Sequence, residues 1–371
     1  MKILIVGNYP FEYNPSMHAY AQLLSSGLSA AGLETRVIRP YPILGRILKK
    51  GLAGKWLGYI DRFVIFPFFL IVSARNYDII HVADHCNSIY IPYIASLPHL
   101  ITCHDMIGIQ AGSGLISSVK LSLTGRFLQR MILRGLRLAK NIVCVSEQTE
   151  RELLSFIAAT NRNIVVIPNS LRFDFQNAFR YNLSQSFLCN VSNLSPYIIH
   201  VGSNMPQKNR PAILEIFRVL VTRKKFSNFN LIIAGQNLTP ESHEWLRSND
   251  ISSRVFEFGF VSNEELACLY SKAEFLIFPS LREGFGWPII EAQSSGCLVV
   301  TSDKPPMNEV AGRGAILVDP NNVASAVEEI VRMFPERDAF VSFGYENCRK
   351  YQAKNMVDSL VILYKHILEN R

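Results

Sequence analysis

The chain has 371 residues, of which 49% are hydrophobic, and a formal net charge of +8. This length and apolar content are sufficient for two domains that each bury a full core. The seven cysteines are an odd number, contain no C-x-x-C pair and lie mostly inside apolar strands. This usage argues against a disulfide framework and suits a reducing cytosol.

The sequence enters a strand directly after Met1 and Lys2, and its first apolar run is too short for a signal peptide. The longest apolar run, Phe63 to Val72, is about half the length needed to span a bilayer, and it contains Pro67. We therefore expect a cytoplasmic protein that is soluble or peripheral on the membrane, not an integral one.

Short apolar runs of the kind expected for buried parallel strands alternate with segments of helical periodicity. In the first half these runs are KILIVG, TRVIRP, DIIHVAD, HLITCHD, NIVCVSE and NIVVIPN, and in the second half YIIHVGS, NLIIAG, VFEFGFV, EFLIFPS, CLVVTSD and AILVDP. The pattern predicts an α/β protein with two doubly wound domains and a cleft between them, where ligands bind beyond the carboxyl ends of the strands. We expect an N-terminal domain over 1–170, a linker over 171–195, a C-terminal domain over 196–345 and a final helix over 346–371 that crosses back.

The most informative segment is PSLREGFGWPIIEAQSSGCLVVTSD, residues 279–303. It predicts a strand end, a glycine-punctuated loop and then a helix whose free N–H groups and positive dipole end can bind a diphosphate. Glu291 lies about one turn into that helix and can accept hydrogen bonds from a ribose, while Glu283 faces whatever lies beyond the phosphate. The loop residues expected to approach the ligand are Gly284, Phe285 and Gly286.

This segment resembles the signature of the family-4 retaining glycosyltransferases (glycosyl transferases group 1), in which two glutamates separated by seven residues lie inside E-G-F-G-x-P-x-x-E-A. The resemblance covers nearly the whole chain and is closest from Tyr197 to Pro320. It implies the GT-B fold, with two Rossmann-like domains that face each other across a cleft. It also implies that Glu283 contacts the donor sugar and that Glu291 contacts the ribose.

Three further positions follow predicted strands. Gly7 and Asn8 come after the first strand, and we expect their backbone to reach the cleft and to bind the donor. No G-x-G-x-x-G motif is present, so a dinucleotide dehydrogenase loses its main support and a transferase fits this loop better. The resemblance implies that His104 lies near the reacting sugar carbon and that Val261, in a turn before a helix, lies near the nucleotide base.

Lys208 begins the second domain, where a cation can neutralise the leaving diphosphate. The family usually carries an arginine close to this lysine, but Gln207 and Ser203 occupy those places here. Either Arg210 or Arg282 supplies the missing charge, or Lys208 and the helix N-terminus hold the diphosphate alone.

The sequence contains no D-x-D motif and no His/Cys cluster with metal-ligand spacing. The resemblance implies leaving-group stabilisation by a helix dipole and cationic side chains, so we expect neither a metal nor another cofactor. The catalytic residues are then His104, Glu283 and Lys208, which position groups and stabilise charge in a front-face displacement.

The whole charge excess lies in residues 1–170, which carry 17 Lys and Arg against 9 Asp and Glu. Four arginines recur at helical spacing among apolar residues: Arg126, Arg130, Arg134 and Arg137. A second basic cluster precedes an aromatic run: Arg46, Lys49, Lys50 and Lys55. Such a face suits an anionic membrane leaflet or a polyprenyl diphosphate, and equally the solvated face of a packed helix, whereas nothing indicates a nucleic-acid partner.

These features together indicate a retaining hexosyltransferase that moves a sugar from a UDP- or GDP-sugar to a glycan or a polyprenyl-diphosphate-linked acceptor, as in lipopolysaccharide or other surface polysaccharide assembly. Two alternatives remain: a nucleotide-sugar epimerase of the same fold and a non-catalytic nucleotide-sugar-binding protein. Specificity for sugar and acceptor is expected in loops such as Pro10 to Ser16 and Gly108 to Ser118.

Overall fold

The computed structural model describes residues 1–10, 15–47, 51–116 and 119–370. The chain folds as two compact units, unit 1 from Met1–Arg172 with Ala353–Arg371, and unit 2 from Phe173–Gln352. Residues 173–195, which we expected to be a linker, therefore belong to unit 2. Among the residues that carried sequence predictions, Lys49 and Lys50, the side chain of Lys55 and parts of both specificity loops (residues 11–14, 117 and 118) lie outside this description.

Unit 1 contains a six-stranded parallel sheet in the order β2-β1-β3-β4-β5-β6. The strands are β1 Lys2–Val6, β2 Glu34–Ile38, β3 Ile79–Val82, β4 His99–Cys103, β5 Asn141–Cys144 and β6 Asn163–Val166. The helices between them are α1 Pro15–Ala30, α2 Gly51–Ile60, α3 Phe66–Ala74, α4 Ile91–Ile94, α5 Ile107–Gly112, α6 Leu123–Leu138 and α7 Glu147–Leu154. A single π-helical turn, Asp61–Ile65, joins α2 and α3 into one continuous helix.

Unit 2 also contains a six-stranded parallel sheet, in the order β12-β11-β10-β7-β8-β9. Its strands are β7 Tyr197–Gly202, β8 Asn230–Gly235, β9 Val255–Gly259, β10 Phe275–Phe278, β11 Leu298–Ser302 and β12 Ala315–Val318. Its helices are α8 Gln185–Asn193, α9 Arg210–Leu220, α10 Pro240–Ser248, α11 Asn263–Lys272, α12 Trp287–Ser294, α13 Met307–Ala311, α14 Val323–Met333 and α15 Arg337–Cys348. The last helix, α16 Ala353–Glu369, belongs to unit 1.

The central strands of both sheets are buried along most of their length, as expected for parallel strands covered on both faces. In β4 and β10, for example, every residue is buried. Each of the twelve predicted strands is present, and the prediction of two doubly wound α/β domains is confirmed.

The helical segment before β3 is longer than the apolar run suggested. Among the described residues, one helix, Trp56–Ala74, is long and apolar enough by length and composition to cross a membrane, and one third of it is buried inside the protein. The sequence estimate of half a bilayer span, taken from Phe63 to Val72, is therefore too short for this helix. Length and composition do not by themselves distinguish a spanning helix from a core helix.

Candidate functional site

In unit 2, Lys208 and Glu283 form an ion pair at the carboxyl ends of two neighbouring strands. Lys208 ends a short 3₁₀ turn after β7, and Glu283 lies in the loop between β10 and α12. Lys208 Nζ lies 2.6 Å from Glu283 Oε1, and the side chains are only 19% and 12% exposed. The ammonium also lies 5.0 Å from the centre of the Phe278 ring. Two of the three predicted catalytic side chains therefore meet in a partly desolvated position, where charges interact more strongly than in water.

Hydrogen bonds between the two loops maintain this pair. The backbone N–H of Leu281 donates to the carbonyl of Gln207 (2.8 Å). The amide of Asn209 donates to the carbonyls of Pro279 (3.1 Å) and Pro320 (2.7 Å). Asn209 was not identified from the sequence, although its place directly after Lys208 in a strand-end loop is typical of a residue that holds a turn.

The start of α12 has the geometry expected for a ligand-facing helix terminus. Gly286 precedes the helix with a φ of +98°, a conformation in which glycine is strongly preferred, and Pro288 lies in the first turn, where its missing N–H costs nothing. Phe285 is buried, with its ring 6.1 Å from that of Trp287 and 5.6 Å from that of Tyr351. The aromatic packing fixes the loop that leads into the N-terminus of α12.

Glu291 lies in α12 and is buried. Its Oε2 accepts a hydrogen bond from the hydroxyl of Tyr270, a fully buried residue of α11, over 3.4 Å. The carboxylate is therefore oriented by the neighbouring helix before any ligand binds.

Arg210 is buried in unit 2, where its side chain is hydrogen-bonded. Its guanidinium donates to Asn204 Oδ1 (2.5 Å) and to the carbonyl of Gly202 (2.9 Å). Burial lowers the pKa of Arg210 to about 10, while the carboxylate of Glu257 opposes this shift. These contacts tie the arginine to the end of β7 and to the side chain of Asn204 in the loop that follows, whereas Arg282 is exposed in the Glu283 loop.

Val261 lies in the turn between β9 and α11 and is half-buried. Gly259, at the end of β9, has a φ of +62°, which turns the chain sharply. Ser262 then begins α11 with a capping box, in which its hydroxyl accepts from the N–H of Glu265 and the Glu265 carboxylate accepts from the N–H of Ser262. The turn is therefore well defined at the same edge of the sheet as the Lys208 and Glu283 loops.

In unit 1, polar side chains gather at the carboxyl ends of the adjacent strands β1, β3 and β4. The Asn8 amide donates to Asp84 Oδ2 (2.5 Å), and the Asn87 amide donates to Asn8 Oδ1 (3.1 Å). His104 is buried, and its Nε2 lies 3.0 Å from the carbonyl of Ala83. Gly7 continues β1 by donating its N–H to the carbonyl of Ile38 (2.8 Å), which places the Asn8 backbone at this edge.

Asp84 is the main residue of this cluster that the sequence analysis missed. Burial alone would raise its pKa, but His85, His104 and the amide of Asn8 together hold the pKa of Asp84 below its ordinary value. Burial lowers the pKa of His104, and the Asp84 carboxylate only partly opposes this shift. The sequence feature that could have identified Asp84 is the polar run that directly follows the apolar strand IIHV.

Asp84, His85 and Cys86 place one potential metal ligand each within 4.8 Å of one another. However, Asp84 Oδ1 accepts from the N–H of Cys86 and Oδ2 accepts from the Asn8 amide. Both carboxylate oxygens are thus engaged in hydrogen bonds that position the strand ends, which gives the cluster a role without an ion.

A buried hydrogen-bonded chain lies behind His104. The Tyr364 hydroxyl of α16 lies 2.6 Å from His81 Nδ1, and His81 Nε2 lies 2.7 Å from the hydroxyl of Thr102. The Tyr20 hydroxyl lies 3.2 Å from the same threonine oxygen, and the Tyr20 ring packs edge to face on His104 at 4.6 Å between ring centres. The chain connects the last helix of unit 1 to the position of the site histidine.

Comparisons with known proteins concern the family of the chain and its fold. Residues 190–351 match the family described as "Glycosyl transferases group 1", and residues 17–174 match "Glycosyltransferase Family 4". Of the curated relatives, the O-antigen chain mannosyltransferase B of Escherichia coli is 24% identical over 65% of this chain, and the O-antigen chain mannosyltransferase RfbU of Salmonella typhimurium is 28% identical over 69%. The aligned regions span 64% and 66% of those two relatives.

Solved structures share the fold. Sucrose-phosphate synthase from Thermosynechococcus elongatus superposes with a TM-score of 0.75 at 16% identity, over 100% of both chains. Anabaena HepE, solved in complex with UDP and glucose, gives a TM-score of 0.71 at 16% identity, over 98% of this chain and 99% of that one. The predicted GT-B fold is confirmed by these neighbours. The chain belongs to the group 1 glycosyltransferases.

Proposed function

We propose that this protein is a metal-independent, retaining glycosyltransferase that transfers a hexose from a UDP- or GDP-sugar to a glycan or a polyprenyl-diphosphate-linked acceptor. The observation that carries the proposal is the pairing of Lys208 with Glu283 beside the N-terminus of α12, with Glu291 oriented one turn further along that helix. A cation, a helix dipole and two carboxylates are the groups that a sugar diphosphate requires.

In this proposal the diphosphate lies at the N-terminus of α12 and against Lys208. An ammonium has three N–H donors, so Lys208 can contact a phosphate oxygen without releasing Glu283. Glu283 then binds sugar hydroxyls, and Glu291 accepts from the ribose. The hydrogen bonds from the Arg210 guanidinium to Asn204 Oδ1 and to the carbonyl of Gly202 support the view that this arginine shapes the loop, so that Lys208 and the helix terminus carry the phosphate contacts. Gly284, Phe285, Gly286 and Val261 complete the donor-side surface.

Transfer breaks the bond between the anomeric carbon and the diphosphate oxygen and forms a bond from that carbon to the acceptor oxygen on the same face. The acceptor proton passes to the departing phosphate oxygen, so no side chain has to act as a base. A carboxylate neutralised by a lysine at 2.6 Å is a weak nucleophile, which favours this route over a covalent intermediate at Glu283. His104, Gly7 and Asn8 contribute from unit 1, with His104 neutral because burial lowers its pKa.

The names of the curated relatives guide the choice of sugar and pathway. Both O-antigen relatives are mannosyltransferases. This supports mannose as the transferred hexose and a surface polysaccharide, such as the O-antigen of lipopolysaccharide, as the product. Since UDP was solved bound to one structural neighbour, UDP-sugars belong in the test as well.

The test is thermal stabilisation of the purified protein by a panel of UDP-, GDP-, ADP- and TDP-sugars in the presence of EDTA. A ligand that binds only the native state at about 100 times its Kd stabilises by about 2.7 kcal/mol. We expect one nucleotide class to raise the melting temperature, and Glu291→Gln to reduce that shift without unfolding the protein. Loss of the shift in EDTA, with recovery on adding Mg²⁺, would contradict the metal-independent site.

A transfer assay with the stabilising donor separates the proposal from its alternatives. We expect Glu283→Gln to retain donor binding and to lower the rate by about 10²-fold or more. Glu215→Gln is a matched control, because Glu215 also lies 2.6 Å from a cation in unit 2 but on the outer side of α9. Conversion of the donor without any acceptor would indicate an epimerase, whereas donor binding without turnover would indicate a non-catalytic protein.

A further inference from the structure

The continuous helix from α2 to α3 exposes a regular stripe of large apolar side chains. The stripe repeats every four residues and consists of Trp56, Ile60, Val64, Phe68 and Val72. Trp56 is 60% exposed and Phe68 is 71% exposed. At 1.5 Å per residue the stripe is about 24 Å long, which exceeds the scattered apolar exposure that is normal on a protein surface.

The opposite face of this helix is fixed to unit 1 by buried charged residues. The Asp61 carboxylate accepts hydrogen bonds from the N–H groups of Leu44 (2.9 Å) and Gly45 (2.8 Å) and from the Tyr9 hydroxyl (3.2 Å). Arg62 is buried against the rings of Tyr9 and Phe63. Moving the helix into a bilayer core would strip Asp61 of these partners in hydrocarbon, which costs several kcal/mol. The helix is therefore held with its stripe facing outward.

Helix α6 extends the apolar face. Leu123 (82% exposed) and Phe127 project from its outer surface. An open cavity of about 490 Å³ lies between the two helices and joins their apolar surfaces. Its walls include Trp56, Phe63 and Pro67 from the first helix and Phe127, Leu128 and Met131 from α6.

A row of exposed arginines borders this surface on α6. Arg126, Arg130 and Arg134 recur at intervals of four residues, so they lie on one face of the helix beside Phe127. Within the described parts of the chain, none of these three arginines forms an ion pair. Their positive charge is thus available to a partner that is negative and apolar at once.

We propose that the apolar stripe and the arginine row form one docking surface for an anionic phospholipid bilayer. Phosphate headgroups pair with Arg126, Arg130 and Arg134, while the stripe and Phe127 enter the boundary between headgroups and acyl chains. Trp56 suits this depth, because its ring is apolar and its N–H remains near polar groups. The chain lies on the membrane and does not cross it, and this inference is independent of the proposed transfer reaction.

The test is sedimentation of the full chain with vesicles of phosphatidylcholine alone and of phosphatidylcholine with about 30% phosphatidylglycerol, which mimics an anionic leaflet. We expect binding to the anionic vesicles that is at least tenfold tighter, and a loss of that preference at about 1 M salt, where the Debye length falls to about 3 Å. Brominated acyl chains should quench Trp56 and leave Trp245 and Trp287, which lie in unit 2, unaffected.

Two triple variants divide the surface into its parts. Arg126→Gln, Arg130→Gln and Arg134→Gln together should weaken binding to anionic vesicles by about a hundredfold at low salt, at about fivefold per arginine. Trp56→Ser, Val64→Ser and Phe68→Ser together should abolish partition into either vesicle. Because all six side chains are on the surface or at its cavity, native melting temperatures should be retained within a few degrees.

The matched controls are Lys224→Gln, Lys354→Gln and Lys365→Gln, which remove three exposed charges elsewhere, and Ile362→Ser, which removes an exposed apolar side chain from α16. Equal loss of binding in either control, or no preference for anionic vesicles in the native chain, would overturn the proposal. Self-association in lipid-free buffer that the stripe variant abolishes would instead assign the surface to a second copy. Donor stabilisation should persist in every variant, so failure of the docking surface is distinguishable from failure of the proposed function.

Discussion

Lys208 contacts Glu283 although the two residues are 75 positions apart in the sequence. They meet because a backbone hydrogen bond and the side-chain amide of Asn209 join the two strand-end loops. The glycosyltransferase signature identified Glu283, and the position of Lys208 at the start of the second domain identified the lysine, because both contexts are local in the sequence. The sequence could not identify Asp84 as the partner of Asn8, because that contact depends on β1 and β3 being neighbours in the sheet. Single strand-end residues are predictable, whereas their pairing requires the strand order.

Gly286 is the residue whose backbone most directly determines the donor loop. Gly286→Ala places a Cβ at a φ of +98°, about 3.1 Å from Ile289 Cδ1, and should cost roughly 1–2 kcal/mol of stability. Because the strain is relieved by shifting the N-terminus of α12, we also expect weaker donor binding. Urea unfolding and donor titration measure the two effects.

Gly32→Ala provides the control, since Gly32 also has a positive φ (+81°) but no atom lies within 4 Å of its added Cβ. It should lose comparable stability and bind donor normally. Unchanged donor affinity in Gly286→Ala would show that the loop geometry is not needed for binding.

Among the elements, α16 illustrates how distant parts of the chain complete one unit. It packs closely on α1, where a Cβ on Gly27 would lie 2.7 Å from Val357. The sequence predicted a terminal helix from its helical pattern. It did not predict that Tyr364 would reach a buried histidine, because a tyrosine on an apolar face is compatible with packing alone.

Tyr364→Phe should destabilise unit 1 by about 1–3 kcal/mol, because it leaves a buried ring nitrogen of His81 without its hydroxyl partner. Urea unfolding followed through Trp56, the one tryptophan in the sequence of unit 1, measures the effect. Ile362→Ala, on the exposed side of the same helix, should change stability by no more than about 0.5 kcal/mol. Equal effects of the two substitutions would contradict a specific role for the hydroxyl.

In the helix from α2 to α3, the sequence pattern located the apolar residues but not the contacts of the charged residues among them. Asp61 and Arg62 interrupt its apolar character, and the Asp61 carboxylate is buried against residues of the loop after β2 and against Tyr9. A one-dimensional pattern could therefore define the apolar run but not the anchored helix that carries it.

At the scale of the whole molecule, each unit contains a fully buried histidine whose pKa lies far below its ordinary value. Burial and the nearby His104 lower the pKa of His81 in unit 1 to about 3. Burial and the charges of Arg210 and Lys208 lower the pKa of His200 in unit 2 to about 3, against an opposing hydrogen bond to the carbonyl of Ile277. Both side chains are fully buried, so neither can take up a proton without losing its environment.

Stability should consequently fall as the pH decreases below about 6.5, where the unfolded histidines bind protons and the folded ones do not. Each histidine contributes up to about 1.4 kcal/mol per pH unit, and the loss is complete only near pH 3. Urea unfolding between pH 7.5 and pH 5 measures the slope of unit 1 through Trp56 and the slope of unit 2 through Trp245 and Trp287. His200→Gln should flatten the slope of unit 2 alone, and an unaltered slope would exclude His200 as its source.

The hydrogen bond between His81 and Tyr364 joins positions 283 residues apart, and all of unit 2 lies between them in the chain. At a synthesis rate of about 5–20 residues per second, the first strands of unit 1 are therefore made roughly 15–60 s before the helix that completes the unit. Unit 2 can complete its own sheet on the ribosome earlier, although its sequence begins later. The order in which the units mature is thus the reverse of the order in which they start, because the first unit depends on a segment that is translated after all of unit 2.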